Sequence, residues 1–223
     1  GPASQGQTGV RVSYYDEESG LTAEANLTIT FGPPTTGNLP VDGRFHLDCP
    51  YLNLGAMRQP KPDIQMNCEI SAQTTAGDNV PVDALDLFFL AEAGVLEEIV
   101  DSWSGDTIIR YSVRGGNVEP LDVDPNPGEP SRLGSLGGTR NPRDGVVTLI
   151  AIARGSECWT DLNGNGTREE NEPFGGCDLP EPWLDVDDDG VYTAGVDEFF
   201  DANSDGEWTD ANGQHDADTF IWA

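Results

Sequence analysis

The feature that most constrains this chain is a run of acidic turns between residues 156 and 223. The first turn fits the twelve-residue pattern D-x-[DN]-x-[DN]-G-x5-E at every fixed position: Asp161, Asn163, Asn165, Gly166 and Glu172. Calcium is a hard cation that takes about six to eight oxygen ligands, and short carboxylates and amides at alternating positions of a tight turn supply them. With Thr167 offering its backbone carbonyl and Glu172 closing the shell, this turn, loop one, is predicted to bind calcium.

Two further turns open with the same pattern, and all three openings lie within 46 residues. Loop two begins with Asp185, Asp187, Asp189 and Gly190. Loop three begins with Asp201, Asn203, Asp205 and Gly206. A single opening of this kind could be a solvated acidic turn, but three in succession favour calcium sites, for about two to four ions.

Closure of loops two and three is less regular, because Val196 and Asn212 stand where the pattern expects Glu. If loop two is two residues longer than loop one, Glu198 closes it. The candidates for closing loop three are Asp210, Asp216 and Asp218, and Asp216 is the one we assign. The stretch 178–183 adds a further acidic corner before loop two.

The charge of the chain also favours bound cations. The formal net charge is −29, and nineteen of the 40 Asp and Glu residues lie in residues 157–218, where Arg168 is the only Lys or Arg. A compact unit with this charge repels itself, and bound cations relieve the repulsion. Aromatic residues spaced along the same stretch argue against a disordered acidic tail. They could also form a sugar-binding platform, but packing beside the loops is the favoured interpretation. Nucleic acid and membrane insertion are disfavoured.

The four cysteines allow three pairings, between which sequence alone does not choose. Cys49 and Cys68 are 19 residues apart, as are Cys158 and Cys177, so we favour these local pairs because each closes a compact loop. A zinc site is disfavoured, since the thiolates are far apart and have no histidine neighbours. Disulfides imply an oxidising compartment, so an extracellular or cell-surface location is expected.

The remainder of the chain is typical of an all-β protein. An alternating segment, 9–15, and a longer one, 21–31, predict an N-terminal β-hairpin. Short strands are then predicted at 43–47, 64–72, 85–91, 107–113 and 146–153, separated by turn residues. Residues 82–101 could instead be a helix, but their β-branched residues and Gly94 favour strands. The stretch 124–143 is expected to be a long loop.

Three stretches, 78–83, 87–94 and 141–153, resemble bacterial immunoglobulin-like domains of the invasin and intimin type. The run 155–166 and the ending 201–222 resemble the calcium-loop extension of some secreted members. The resemblance covers about residues 64–223, and Val196 and Asn212 depart from it. It implies an immunoglobulin-like β-sandwich in which the calcium loops are an insertion before a last strand at Thr219–Trp222.

These observations predict three regions: an N-terminal strand or hairpin at 1–35, a sandwich at 36–155 and the calcium-binding segment at 156–223. Neither His46 nor His215 lies in a recognisable nucleophile motif, so an enzyme is not expected. The expected function is a secreted calcium-stabilised structural protein that self-associates through its N-terminal strand into a homopolymer, such as an extracellular filament. The alternative is an adhesin-like module that binds a glycan or a surface protein.

Overall fold

The computed structural model describes the backbone of residues 6–16, 21–31, 39–51, 64–101, 104–113, 132–133, 139–140, 146–165, 167–174 and 176–223. The chain divides into two compact units, residues 1–36 and 37–223. The described residues are all-β: thirteen strands are joined by turns, and the one helical element among them is a three-residue 3-10 turn, Val82–Ala84. No helix in the described part of the chain is long and apolar enough to span a membrane.

The first unit is a long antiparallel hairpin. Strand β1 (Gly6–Asp16) pairs with β2 (Leu21–Phe31) over eleven residues each, from Gly6 opposite Phe31 to Asp16 opposite Leu21. This confirms the predicted hairpin, and its first strand is longer than the alternation indicated. The predicted turn at 16–20 lies largely outside the described residues.

The second unit contains a four-stranded sheet in the order β3-β4-β7-β6: β3 (Phe45–Asp48), β4 (Gln65–Ala72), β7 (Thr107–Ser112) and β6 (Val95–Val100). A three-stranded sheet has the order β13-β10-β5: β13 (Thr219–Trp222), β10 (Leu149–Gly155) and β5 (Leu87–Ala91). All neighbours are antiparallel. Strand β6 was not predicted separately, because the 82–101 run hides a turn at 92–94 between two strands. The helical alternative for that run is wrong.

The two sheets share a hydrophobic core, here called the inner core. Residues of β4 alternate between exposed and buried, and their buried members pack against β7 and the second sheet. Phe45, Ile109, Ala151, Ala153 and Ile221 are among the fully buried members. This arrangement confirms a β-sandwich, since each sheet hides one face against the other.

A second cluster, the outer core, lies on the other face of the three-stranded sheet. Ile150, Ile152 and Leu184 form its buried centre, and partly buried residues surround them: Leu90, Val186, Phe200, Phe220 and Trp222. Leu184 belongs to a short strand, β11 (Trp183–Leu184), which pairs with β12 (Glu198–Phe199). Strand β10 is therefore buried on both faces, which is why its sequence is a continuous apolar run instead of an alternating one.

The last short pair joins β8 (Arg132–Leu133) to β9 (Thr139–Arg140). Most of the stretch predicted as a loop at 124–143 lies outside the described residues. Both local disulfides are present, Cys49–Cys68 and Cys158–Cys177. The first fixes the end of β3 to β4, and the second brackets loop one.

Candidate metal centre

Loop one is shaped by its own side-chain oxygens. Oδ1 of Asp161 accepts the backbone N–H of Gly164 at 2.6 Å and of Asn165 at 3.3 Å. Oδ1 of Asn165 accepts the N–H of Thr167 at 2.7 Å. These bonds fold the backbone back around positions one to seven, as a twelve-residue calcium loop requires. Gly166, expected at the sharp turn, lies outside the described residues.

The carboxylate of Glu172 closes loop one. Oε1 accepts the N–H of Leu162 at 2.9 Å, and Oε2 accepts the N–H of Glu169 at 3.0 Å. Leu162 and Glu169 are positions two and nine of the loop. One carboxylate therefore holds both arms of the turn, and we call an acidic group that makes this pair of bonds a closing carboxylate.

Loop two also opens with an aspartate that accepts backbone N–H groups of its own turn, here those of positions five and six. Asp185 accepts the N–H of Asp189 at 3.0 Å and of Gly190 at 2.8 Å. Asp188, at position four, has a left-handed φ of 54°, which is uncommon for a residue other than glycine. The same tight turn is therefore imposed although this loop lacks a position-four glycine.

The closing residue of loop two is Asp197. Its Oδ1 accepts the N–H of Val186 at 2.9 Å and its Oδ2 that of Thr193 at 2.6 Å, again positions two and nine. Glu198, assigned to this place from the sequence, is exposed on β12 instead. Asp197 directly precedes β12 and is buried, whereas Glu198 begins that strand and is exposed, so Asp197 is the one of the two neighbours that faces the loop.

Loop three is closed by a residue that precedes it. Glu181 accepts the N–H of Ala202 through Oε1 at 3.0 Å and the N–H of Thr209 through Oε2 at 3.0 Å. These are positions two and nine of the loop that begins at Asp201. Asp216, assigned as the closing residue from the sequence, does not occupy that place. The twelve-residue pattern places a closing acid after its loop, whereas the fold brings this carboxylate from an earlier part of the chain.

The opening of loop three follows the pattern of loop two. Asp201 accepts the N–H of Asp205 at 3.1 Å and of Gly206 at 2.9 Å. Oδ1 of Asn203 accepts the N–H of Asp205 at 2.8 Å. The three sequence-predicted members of this loop are thus brought together as expected.

A fourth loop, not predicted from the sequence, is assembled from two separate segments. Asp178 accepts the N–H of Asn212 at 3.1 Å and of Gly213 at 2.7 Å, as position one does for positions five and six in loops two and three. Oδ1 of Asn212 accepts the N–H of Gln214 at 2.6 Å. The signal in the sequence was the half-pattern of Asp210, Asn212 and Gly213, whose missing first position lies more than thirty residues earlier.

Glu157 closes loop four. Its Oε1 accepts the N–H of Leu179 at 2.8 Å, and its Oε2 accepts the N–H of Asp216 at 2.8 Å. Leu179 follows position one, and Asp216 stands at position nine. Asp216 therefore belongs to a candidate site, but as the ninth residue of loop four and not as the closing residue of loop three.

The closing carboxylates are among the most buried acidic groups of the described residues. Their exposed fractions are 1% for Glu157, 2% for Glu172, 7% for Asp197 and 9% for Glu181. Their bonds to the loop backbones supply only neutral N–H groups, and a buried charge without a counter-charge is costly. Burial raises the pKa of Glu157 above its ordinary value; repulsion from Asp216 and Asp178 adds to the increase, and the two backbone N–H groups oppose it.

Loop two shows a second sign that its carboxylates need a positive charge to balance them. One oxygen each of Asp185, Asp187 and Asp189 lie within 4.8 Å of one another. Oδ1 of Asp187 is buried and has no hydrogen-bond partner. Loss of solvent contact raises the pKa of Asp187, and repulsion from Asp189, Asp197 and Asp185 raises it further. This all-oxygen donor set fits a hard cation such as calcium.

Aromatic rings pack around the loops. His215 lies edge-on to Trp159 and Phe174, with ring centroids 5.3 and 5.9 Å away, and its Nε2 is 3.1 Å from the carbonyl oxygen of Glu157. The histidine therefore joins loops one and four and supports a loop-closing residue. The guanidinium of Arg168 lies over the ring of Phe174, 4.9 Å from its centroid.

Two other groups of potentially reactive residues have structural roles. Asp42 lies near Cys158 and Cys177, but both thiols are used in the disulfide, so they are not available as metal ligands. His46 is exposed on β3, opposite Ser71 of β4.

No family model matches the chain, and comparisons with curated proteins and with solved structures find no significant match.

Proposed function

We propose that this chain is a secreted structural protein whose acidic segment, residues 157–218, is folded and stiffened by calcium. The observation that carries the proposal is the repeated closing carboxylate: in four loops a buried acid accepts the N–H groups of positions two and nine. Unrelated acidic turns have no reason to share this arrangement, whereas calcium loops require a carboxylate at this place.

The ligand set consists of hard oxygen donors, which suits calcium. The candidate ligands of loop one are Asp161, Asn163, Asn165, the carbonyl of Thr167, and Glu172. Those of loop two are Asp185, Asp187, Asp189 and Asp197. Those of loop three are Asp201, Asn203, Asp205 and Glu181. Those of loop four are Asp178, Asp210, Asn212, the carbonyl of Gln214, and Glu157. When bound, calcium would supply the positive charge that these carboxylates lack and fix the loop backbones.

The disulfides indicate an oxidising environment, and this supports a location outside the cell. Extracellular modules bind calcium with dissociation constants of about 0.1–1 mM, so calcium outside the cell would keep such loops loaded. Secretion and calcium stabilisation are therefore consistent parts of one proposal.

An immunoglobulin-like fold is the proposed architecture. The sheet orders β3-β4-β7-β6 and β13-β10-β5 correspond, strand by strand along the chain, to the two sheets of a seven-stranded constant-type immunoglobulin domain. The acidic segment is then an insertion between the sixth and seventh strands. This strand order supports the resemblance to bacterial immunoglobulin-like domains.

The N-terminal hairpin is the proposed element of self-association. In the sequence of β2, apolar residues alternate with polar ones: Leu21, Ala23, Ala25, Leu27, Ile29 and Phe31. A two-stranded hairpin is marginally stable alone and needs a further apolar surface or strand. A second copy of the chain is the proposed occupant, and strand addition from each copy to the next would give an open-ended filament.

Calcium titration by isothermal calorimetry tests the calcium proposal. We expect about four ions per chain, and the Glu198→Gln variant, which removes an exposed acid outside the closing positions, should bind the same number. Binding of no calcium at millimolar concentration would overturn the proposal. A chelated and a calcium-loaded sample are then compared by electron microscopy, where filaments that disappear on deletion of residues 1–35 would support the assembly.

One observation favours the alternative, an adhesin-like function. Tyr192 and Trp208 stack with centroids 4.4 Å apart and an interplanar angle of 20°, and both rings are partly exposed. The indole N–H of Trp208 donates to the carbonyl of Glu181, so the stack also has a structural role. Glycan binding that survives deletion of residues 1–35 but not Trp208→Ala would favour this alternative.

A further inference from the structure

The acidic segment covers a sheet face that would otherwise be exposed and apolar. Ile150 and Ile152 of β10 lie on this face, and Leu184, Val186 and Phe200 pack over them. Val186 is position two of loop two, and Phe200 directly precedes loop three. The residues that cover the sheet are therefore the immediate neighbours of the candidate calcium ligands.

The closing carboxylates fasten this cover at its ends. Glu157 stands two residues after β10, and its carboxylate holds Leu179 in the middle of the segment and Asp216 shortly before β13. Beside Glu181, the carbonyl of Pro182 accepts the N–H of Phe200 at 2.7 Å. The carboxylate that closes loop four thus ties the segment to the end of β10, and the bonds of Glu181 and Pro182 tie parts of the segment to one another.

We infer that calcium acts as a latch: with calcium bound, the acidic segment covers the outer face of the sheet β13-β10-β5, and calcium loss lifts the cover while the inner core stays closed. This inference rests on the proposed calcium binding. Without cations, nineteen acidic residues repel one another, and the outer core is the apolar contact that opposes the lifting of the segment from the sheet. The inner core contains apolar residues from both sheets and does not depend on that charge.

Two neighbouring residues of β10 provide a matched test, because both are fully buried but on opposite faces. Ile152 belongs to the outer core and Ala153 to the inner core, each with 0% exposure. The variants Ile152→Cys and Ala153→Cys are alkylated with iodoacetamide in calcium and in excess chelator, and the rate is followed by mass spectrometry. Leu90→Cys, on the outer side of β5, is a second reporter in case Ile152→Cys does not fold.

Chelation should accelerate alkylation of Ile152→Cys and Leu90→Cys by about tenfold or more, as expected for local opening, and leave Ala153→Cys protected. Acceleration at all three positions would overturn the inference, since the sandwich itself would then be opening. Equal rates with and without calcium at the two outer positions would also overturn it. Calorimetry on the same proteins separates the two proposals: absence of calcium binding refutes the proposed function, whereas binding without a change in alkylation refutes only the latch.

Discussion

The β-sandwich and the acidic segment lie in one compact unit, but different groups hold their backbones in place. In the sandwich, strands pair with strands, and apolar side chains from both sheets fill the inner core. In the acidic segment, backbone N–H groups of four loops bind to side-chain carboxylates, and the strands among its described residues are the two-residue β11 and β12. The comparison shows two ways to satisfy the hydrogen bonds of backbone N–H groups. Strand pairing does so without ions, whereas bonds to carboxylates leave a large negative charge to be neutralised.

The largest effect is expected when the proposed calcium is removed, because the acidic segment and the sandwich should then respond differently. Excess chelator should abolish the near-ultraviolet circular dichroism of the aromatic residues packed around the loops, because the loops lose the charge that holds them together. The far-ultraviolet signal of the sandwich should remain, and added calcium should restore the lost signal. Loss of both signals at one chelator concentration would show that the two regions are a single cooperative unit.

A substitution in the inner core should instead destabilise the sandwich, to the same extent with and without calcium. Phe45→Ala removes a ring that is 2% exposed and should lower the free energy of unfolding of the sandwich by about 3–5 kcal/mol. Denaturant unfolding should give the same decrease in calcium and in chelator, because the ring packs in the inner core. The matched surface change, Val100→Ala at a residue 65% exposed, should alter the free energy of unfolding by no more than about 0.5 kcal/mol.

Substitution of a closing carboxylate should have a smaller effect, which is measured as a loss of calcium affinity. Glu157→Gln keeps the shape of the side chain but removes its charge, so calcium affinity at loop four should fall about tenfold, equivalent to about 1.4 kcal/mol. Calorimetry of this variant beside Glu198→Gln checks the expectation. Equal affinities for the two variants would show that position in the loop does not matter and that the segment attracts calcium by net charge alone.

The smallest effect is expected at the ion pair that joins the two regions. Arg154 of β10 donates to Asp218 through Nε at 2.6 Å and Nη2 at 2.8 Å, but the side chains are 46% and 30% exposed. Because solvent screens exposed pairs, Arg154→Ala should cost less than about 1 kcal/mol of unfolding free energy, with a loss that decreases in high salt. A larger loss that salt does not reduce would indicate that the arginine stem contributes through packing on Phe220, whose ring lies 5.9 Å away.

The sandwich was largely predictable because its signals are local. Alternating residues located β4 and the N-terminal hairpin, and the apolar run at 146–153 located β10. The strand β6 was missed because a tight turn at Gly94 separates it from β5 within one apolar stretch. That glycine has a φ of 78°, and a side chain there would meet the carbonyl oxygen of Ser112 at 2.5 Å.

The openings of loops one to three and the closure of loop one by Glu172 were predictable, whereas the closures of loops two and three were not. Position one reaches the N–H groups of positions four to six of a continuous turn, so sequence spacing is sufficient there. A closing carboxylate need only be near in space. Glu181 and Glu157 come from earlier parts of the chain, and loop two is closed by the buried Asp197 and not by its exposed neighbour Glu198.

The sequence by itself determined an all-β chain and three acidic turns that open with D-x-[DN]-x-[DN]-G, because each depends on residues close together along the chain. It favoured the two local disulfides but left three pairings open, and the structure decided between them. Only the tertiary structure decided which carboxylates close loops two, three and four, that the fourth loop is assembled from Asp178 and residues 210–216, and that the segment covers the outer face of β10. The physical reason is that a buried charge needs hydrogen-bond donors or an opposite charge, and an apolar face needs apolar contacts. The fold can bring these partners from any distance in the sequence.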